Sequence, residues 1–264
     1  MPGSRCGAHI VADARMPVGF TAAVLAGGAG TRLKTALSDR PKALAPIHGT
    51  PFLFILLDQL LDAGAERIVI CTGHLGSHIQ QAVGSRHRNC PVLYSHEDTP
   101  LGTGGALRKA LDCCDANLWL VTNGDSYIDT PLAGYVSWHQ QAERNGSILL
   151  AWVEDASRFG TVELSADGRV AAFQEKRGLA VPGWINGGIY LLPRRRIEQL
   201  PAGCSLSLEY SVLPRWANEG LPAYCVRAPF IDIGTPESLM EAAQFFRFRS
   251  SAAEGRQTVW KEME

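Results

Sequence analysis

No stretch of the 264-residue sequence is apolar for long enough to cross a bilayer, and neither charge sign dominates: 25 Lys and Arg against 26 Asp and Glu leave a formal net charge of −1. The first absence argues against a membrane-spanning chain. The second removes the one-signed field that would recruit nucleic acid or an anionic membrane surface. The seven cysteines are odd in number, scattered and never in Cys-x-x-Cys spacing. Zinc and a disulfide framework therefore lack support, and the thiols read as free, buried and cytoplasmic. Residues 1–18 lack the apolar centre of a secretory signal and read as a disordered leader, with Met16 an alternative start; residues 251–264 read as a loose polar tail. The short run Arg194-Arg195-Arg196 follows Pro193 and reads as the solvated start of a surface helix, not a nucleic-acid patch.

A hydrophobic share of 46% and a charged share of 19% suit an ordinary globular chain with a substantial core. Apolar runs at 21–25, 67–72, 92–95 and 118–122 read as strands, and helical spacing at 51–63, 76–83 and 104–113 alternates with them. Such alternation predicts an α/β, Rossmann-like mixed sheet, mainly parallel, sandwiched by helices. Ligands in such sheets gather at the carboxyl ends of strands, where Gly27-Gly28, Glu97 and Asp125 all fall. After residue 132 the pattern changes. A helix over 132–144 leads to strands at 147–153, 161–164, 170–174 and 185–192, then a helix over 209–218, a strand at 223–227 and a last helix from Thr235. The pair 161–164 and 170–174 turns through Asp167-Gly168. Neither repeat nor linker divides the chain, so 19–250 reads as one domain in two halves, about 19–130 and 131–250.

The most informative stretch is Leu25-Ala26-Gly27-Gly28-Ala29-Gly30-Thr31-Arg32-Leu33, with Lys42 following in Arg40-Pro41-Lys42. Glycines after a strand allow close backbone approach and aim several N–H groups at one point, a receptor for phosphate oxygens. Arg32 and Lys42 add a forked and a compact cation. No Gly-Lys-Ser/Thr closes the loop, which excludes a P-loop, and the third glycine of a dinucleotide fingerprint is missing. A tight turn would explain the glycines alone; with both cations the stretch reads as a polyphosphate site. Two acids complete the picture. Asp125 ends a buried strand, where a carboxylate also serves as a cap, and Asp232 lies in Phe230-Ile231-Asp232-Ile233-Gly234. Hard oxygen donors from two chain positions suit Mg²⁺.

Taken together these residues resemble the sugar-1-phosphate nucleotidylyltransferases, through six motifs in family order over about 21–246. The resemblance implies that Asp125 and Asp232 hold Mg²⁺, and that Leu25, Ala26, Gly27, Gly28, Gly30 and Thr31 cradle the nucleotide. Gly102, Thr103 and Gly124 join them, the first two from the base-and-ribose loop Leu101-Gly102-Thr103-Gly104-Gly105. It implies that Glu175 bonds sugar hydroxyls and Lys176 neutralises the sugar phosphate, although Arg177 stands where the family has Pro and an isolated Glu-Lys is ordinarily a surface pair. Asn186 and Gly187, in Asn186-Gly187-Gly188-Ile189-Tyr190, resemble the sugar-contacting strand. Glu209 resembles the next sugar-facing acid and would also suit a helix start.

Family members that use uridine or thymidine nucleotides usually carry Gln four residues before Leu101; this chain has Glu97. A carboxylate only accepts, and guanine presents two adjacent donors where uracil presents one donor between two acceptors. Glu97 thus favours GTP. The implied reaction is in-line attack of a sugar 1-phosphate on the α-phosphorus with loss of pyrophosphate, driven by positioning and charge neutralisation by Arg32, Lys42, Lys176 and Mg²⁺. Within the family the likeness is greatest to D-glycero-α-D-manno-heptose 1-phosphate guanylyltransferases, through Arg158-Phe159-Gly160-Thr161-Val162 and the segments around Asn186 and Asp232. Mannose-1-phosphate guanylyltransferases and uridylyl- or thymidylyltransferases are the rivals. A silent sugar-nucleotide sensor would be expected to have lost one of Arg32, Lys42, Asp125, Lys176 or Asp232. The last helix, with Phe245 and Phe246, hints at a contact between two copies of the chain.

Overall fold

The structure is a computed structural model that describes residues 19–28, 40–174, 176, 178 and 180–247. In chain order the first half comprises β1 (Phe20–Leu25), a 3₁₀ turn (Lys42–Leu44), the ribbon β2 (Pro46–Ile47) and β3 (Thr50–Pro51), α1 (Phe52–Asp62), β4 (Ala65–Thr72), α2 (Gly76–Val83), β5 (Arg86–His87), β6 (Cys90–His96), α3 (Gly102–Ala110), β7 (Leu118–Asn123) and β8 (Ser126–Ile128). The second half adds α4 (Leu132–Gln141), β9 (Ser147–Val153), β10 (Thr161–Leu164), β11 (Val170–Gln174), β12 (Gly183–Pro193), α5 (Arg194–Glu198), a π turn (Leu208–Val212), α6 (Leu213–Asn218), β13 (Ala223–Val226), β14 (Phe230–Asp232) and a helix α7 over 236–247.

Among the described residues ten strands share one sheet in the order β11-β10-β12-β7-β1-β4-β6-β5, with β9 joined to β12 and β13 to β9. The strands β7, β1, β4 and β6 run parallel, as the alternating pattern predicts, while β12 lies antiparallel to β7. These central strands read as continuous apolar runs because both faces are covered. In β1, Ala22 and Val24 face one side with Leu53, Leu57, Ile79 and Val136; Ala23 faces the other with Leu107, Ile197 and Trp216. The fold class is thus the α/β, mainly parallel arrangement read from the sequence.

Three features depart from that reading. The expected helix over 209–218 is a π turn followed by α6, because Pro214 has no N–H with which to continue the ladder; Leu213 N–H instead reaches back to the Leu208 carbonyl. Arg196 is not solvated: it is 6% exposed, its guanidinium 2.7 Å from Glu219 Oε2 and 4.4 Å above the Trp216 ring. Arg196 shares the inward face of α5 with Ile197, while Arg195 stays exposed. Finally, α7 is folded onto the core. Phe246 is buried with its ring 5.1 Å from Tyr127 and 6.4 Å from Phe52, and Phe245 packs against Tyr127 and Phe246, so these rings form an intramolecular cluster. Among the described cysteines Cys71 and Cys90 are buried, but Cys204 is exposed.

One polar chain crosses this interior, and no local pattern announces it. Leu191 N–H donates to the Tyr135 hydroxyl (3.1 Å), which lies 2.8 Å from Ser147 Oγ, itself 2.7 Å from His139 Nδ1. Tyr135, Ser147 and His139 thus form a continuous buried hydrogen-bonded chain. Burial, helped by the Arg144 charge, lowers the His139 pKa to about 4. The unfolded chain therefore binds more protons between that value and about 6.5, and stability falls as pH drops through this window. Urea unfolding at several pH values is expected to show the native protein losing about 3 kcal/mol more than His139→Gln between pH 6.5 and pH 4. Parallel curves would contradict a buried neutral imidazole.

Candidate active site

The carboxyl ends of β1, β4, β6 and β7 open onto two cavities. The first, about 630 Å³, is lined by Gly27 and Gly28 after β1, Gly73 to Ser77 after β4, His96 to Asp98 after β6, and Gly102 and Thr103 at the start of α3. Glu97 occupies its wall. Its Oε2 accepts the Leu101 N–H at 3.1 Å, and its Oε1 lies only 2.8 Å from where a Cβ on Gly27 would sit. Any side chain at position 27 would displace this carboxylate. Burial raises the Glu97 pKa, against the opposing pull of the Leu101 N–H, Lys109 and His96.

The second cavity, about 670 Å³, gathers Lys42, Asp125, Lys176, Asn186, Glu209 and Asp232 with Arg158, Phe173 and Tyr210. Buried Ala43 and Leu44 anchor the 3₁₀ turn and leave Lys42 to project, its Nζ 2.6 Å from Asp125 Oδ2. A three-residue ribbon brings the two acids together: β14 pairs antiparallel with β8, setting Asp232 opposite Ser126, the neighbour of Asp125. Ile233 N–H then donates to the Asp125 carbonyl at 3.0 Å. Asp232 accepts from Gly234 N–H (2.9 Å) and from Arg158 (2.8 Å). Each acid therefore faces a cation from a distant segment. A divalent ion that keeps waters and takes phosphate oxygens fits this pair of hard, charged oxygen donors; among the described residues no group of three or more candidate ligands exists.

One hydroxyl joins the cavities. Thr103 Oγ1 donates to Glu209 Oε2 at 2.6 Å and accepts the Leu208 N–H at 2.8 Å. Thr103, expected at the nucleotide, lines the first cavity and braces it through these two bonds. Other expected site residues also carry internal contacts. Asn186 lines the second cavity, yet its amide reaches the Tyr190 hydroxyl and the Gly188 N–H, both at 2.9 Å, and braces the bulge in β12. A Cβ on Gly187 would strike Ile128 Cδ1 at 2.5 Å, and one on Gly124 would meet the Leu25 carbonyl at 2.9 Å. Gly124 and Ala26 serve strand pairing through N–H bonds to Leu25 and Cys71. None of Gly187, Gly124 and Ala26 lines either cavity. Leu25 lines the first. Gly30, Thr31, Arg32 and Glu175 lie outside the described residues.

Residues 21–248 match the family described as Nucleotidyl transferase. The chain belongs to that family. This nucleotidyl transferase is 32% identical over 222 residues to a D-glycero-alpha-D-manno-heptose 1-phosphate guanylyltransferase of Aneurinibacillus thermoaerophilus, covering 84% of this chain and 96% of the relative. It is 30% identical over 226 residues to a mannose-1-phosphate guanylyltransferase of Mycobacterium tuberculosis, covering 84% of this chain but 63% of that longer relative. Among solved structures, HddC from Yersinia pseudotuberculosis complexed with GMP-PN superimposes with a TM-score of 0.76 at 33% identity, over 86% of this chain and 99% of that one.

The nucleotidyl transferase cavities also contain residues to which the sequence assigned no role. Arg158 opens the Arg158-Phe159-Gly160 motif, but nothing local says that it meets Asp232, 74 positions away. Leu75 holds a left-handed conformation (φ 62°) where the chain enters α2 against the first cavity; the flanking Gly73 and Gly76 were the available signal.

Proposed function

We propose that the protein condenses GTP with D-glycero-α-D-manno-heptose 1-phosphate to GDP-heptose and pyrophosphate. The observation that carries this reading is the convergence of Lys42, Asp125, Lys176 and Asp232 on one cavity beside another walled by Glu97. The guanylyltransferase relatives and the GMP-PN complex of HddC support the choice of nucleotide and sugar. The region 19–250 acts as one domain, its halves sharing the sheet through the β7–β12 pairing.

In this reading GTP enters the first cavity, its phosphates along Gly27 and Gly28 and its base against Glu97. The sugar 1-phosphate lies in the second cavity, between Lys176 and Glu209. The attacking phosphate is already an anion, so the residues need only orient and neutralise. Asp125 and Asp232 would hold Mg²⁺, which supplies charge neutralisation between the two phosphates when bound. Lys42, now on Asp125, stands beside that position with a mobile point charge for a phosphate oxygen. Among the described residues no helix is long and apolar enough to cross a membrane, and a cytoplasmic site suits the free thiols and the GTP supply.

Pyrophosphate release across GTP, UTP, dTTP and ATP with heptose, mannose and glucose 1-phosphates tests the assignment; product from GTP and the heptose phosphate is expected. Glu97→Gln is expected to cut kcat/KM for GTP tenfold to a hundredfold, the loss of about 1.5–3 kcal/mol of charge-assisted bonding, and to leave UTP unharmed. Equal losses with both nucleotides would remove Glu97 from base selection.

A further inference from the structure

We infer that Tyr210 is a specificity-determining residue that stacks on the pyranose ring of the sugar 1-phosphate, an inference that rests on the proposed reaction. Among the described residues three large hydrophobic side chains are exposed: Val181 (47%), Met240 (67%) and Tyr210 (78%). Tyr210 is the most open of them, and of the three it alone lines the second cavity. A ring left this far in water contributes little to the core. Its surroundings point to a ligand.

The backbone beneath the ring is fixed. Tyr210 lies within the π turn (Leu208–Val212), a distortion that recurs at functional sites. Its N–H donates to Ser207 Oγ at 3.2 Å, and that hydroxyl donates in turn to Glu209 Oε2 at 3.0 Å. Thr103 ties the same carboxylate and the Leu208 N–H to α3. The side chain therefore leaves a rigid base with two torsions to order, which keeps the entropy of binding low. The cavity supplies the complementary chemistry. Lys42, Arg158 and Lys176 suit a phosphate, and Phe159, Phe173, Pro214 and Phe230 share the lining with Tyr210. A pyranose phosphate has the same division, an anion at one end and an apolar face of C–H groups on the ring. Aromatic faces carry negative quadrupole density that attracts such C–H edges. The ring lines this cavity and not the one walled by Glu97, so the nucleobase is not its partner.

Steady-state kinetics on Tyr210→Ala and Tyr210→Phe test this. The alanine variant is expected to raise KM for the sugar 1-phosphate about tenfold, equivalent to about 1.4 kcal/mol, while KM for GTP stays within about twofold and the melting temperature is unmoved. Tyr210→Phe, which keeps the aromatic face, is expected to restore most of the loss. An unchanged sugar KM in Tyr210→Ala, or equal rises for both substrates, overturns the role of Tyr210 while the reaction stands. A native protein that turns over no sugar 1-phosphate with any nucleotide overturns the reaction itself, and the sugar contact with it.

Discussion

Asp125→Asn is expected to lower the rate of pyrophosphate release from GTP and the sugar phosphate by about a thousandfold, the scale seen when one preorganised electrostatic group is removed. The change is nearly isosteric and lies at the mouth of the site, where the Asp125 side chain is 43% exposed, so melting and circular dichroism should match the native protein. What is lost is charge. The neutral amide leaves Lys42 Nζ, 2.6 Å away, without its counter-ion, and halves the negative charge that Asp125 and Asp232 present to a divalent ion. The Ile233 N–H bond to the residue 125 carbonyl belongs to the backbone and survives, so the β8–β14 ribbon holds Asp232 in place. Native-like turnover by this variant would sink the two-acid site.

Gly102→Ala should be the most damaging of the small changes to the fold around the cavities. The residue has φ +67°, and a Cβ there would lie 2.6 Å from the Leu206 carbonyl oxygen and 3.0 Å from its carbon. Both obstacles are backbone, which no rotamer change relieves. The same carbonyl accepts Gly104 and Gly105 N–H (2.8 and 3.3 Å), and Leu206 N–H returns to the Leu101 carbonyl at 2.8 Å. Forcing them apart adds to the left-handed penalty, for a total of about 3 kcal/mol, or roughly a 6–12 °C fall in melting temperature. Gly203→Ala is the control, since Gly203 has φ +71° and a Cβ added there would meet nothing within 4 Å; about 1 kcal/mol is expected there. Calorimetry that finds the two variants equal would show that the Leu206 contact has no weight. Both KM values should rise in Gly102→Ala, because the strained segment borders both cavities.

Much of this was legible in the sequence for a physical reason. The central strands are covered on both faces, so their apolar runs are long and their carboxyl ends are easy to find; Gly27, Glu97 and Asp125 followed directly. The rest depends on contacts with no local pattern. Three residues, Phe230–Asp232, carry no readable period, yet their pairing with β8 decides that the two acids meet. The family resemblance put Thr103 at the nucleotide, but nothing local says that its hydroxyl also meets Glu209, 106 positions on. Arg196 read as surface because arginines cluster there, and only the position of Glu219 and Trp216 explains its burial. His139 was hidden for the same reason: burial and the Arg144 charge set its neutral state, and its partner Ser147 lies on β9.

In the proposed reaction the Thr103 hydroxyl couples the nucleotide cavity to the sugar cavity as a single plate. Anyone retuning the enzyme for a new nucleotide by editing residues 101–105 would shift Glu209 and Tyr210 as well, and acceptance of the sugar would drift without one residue of its own lining being touched.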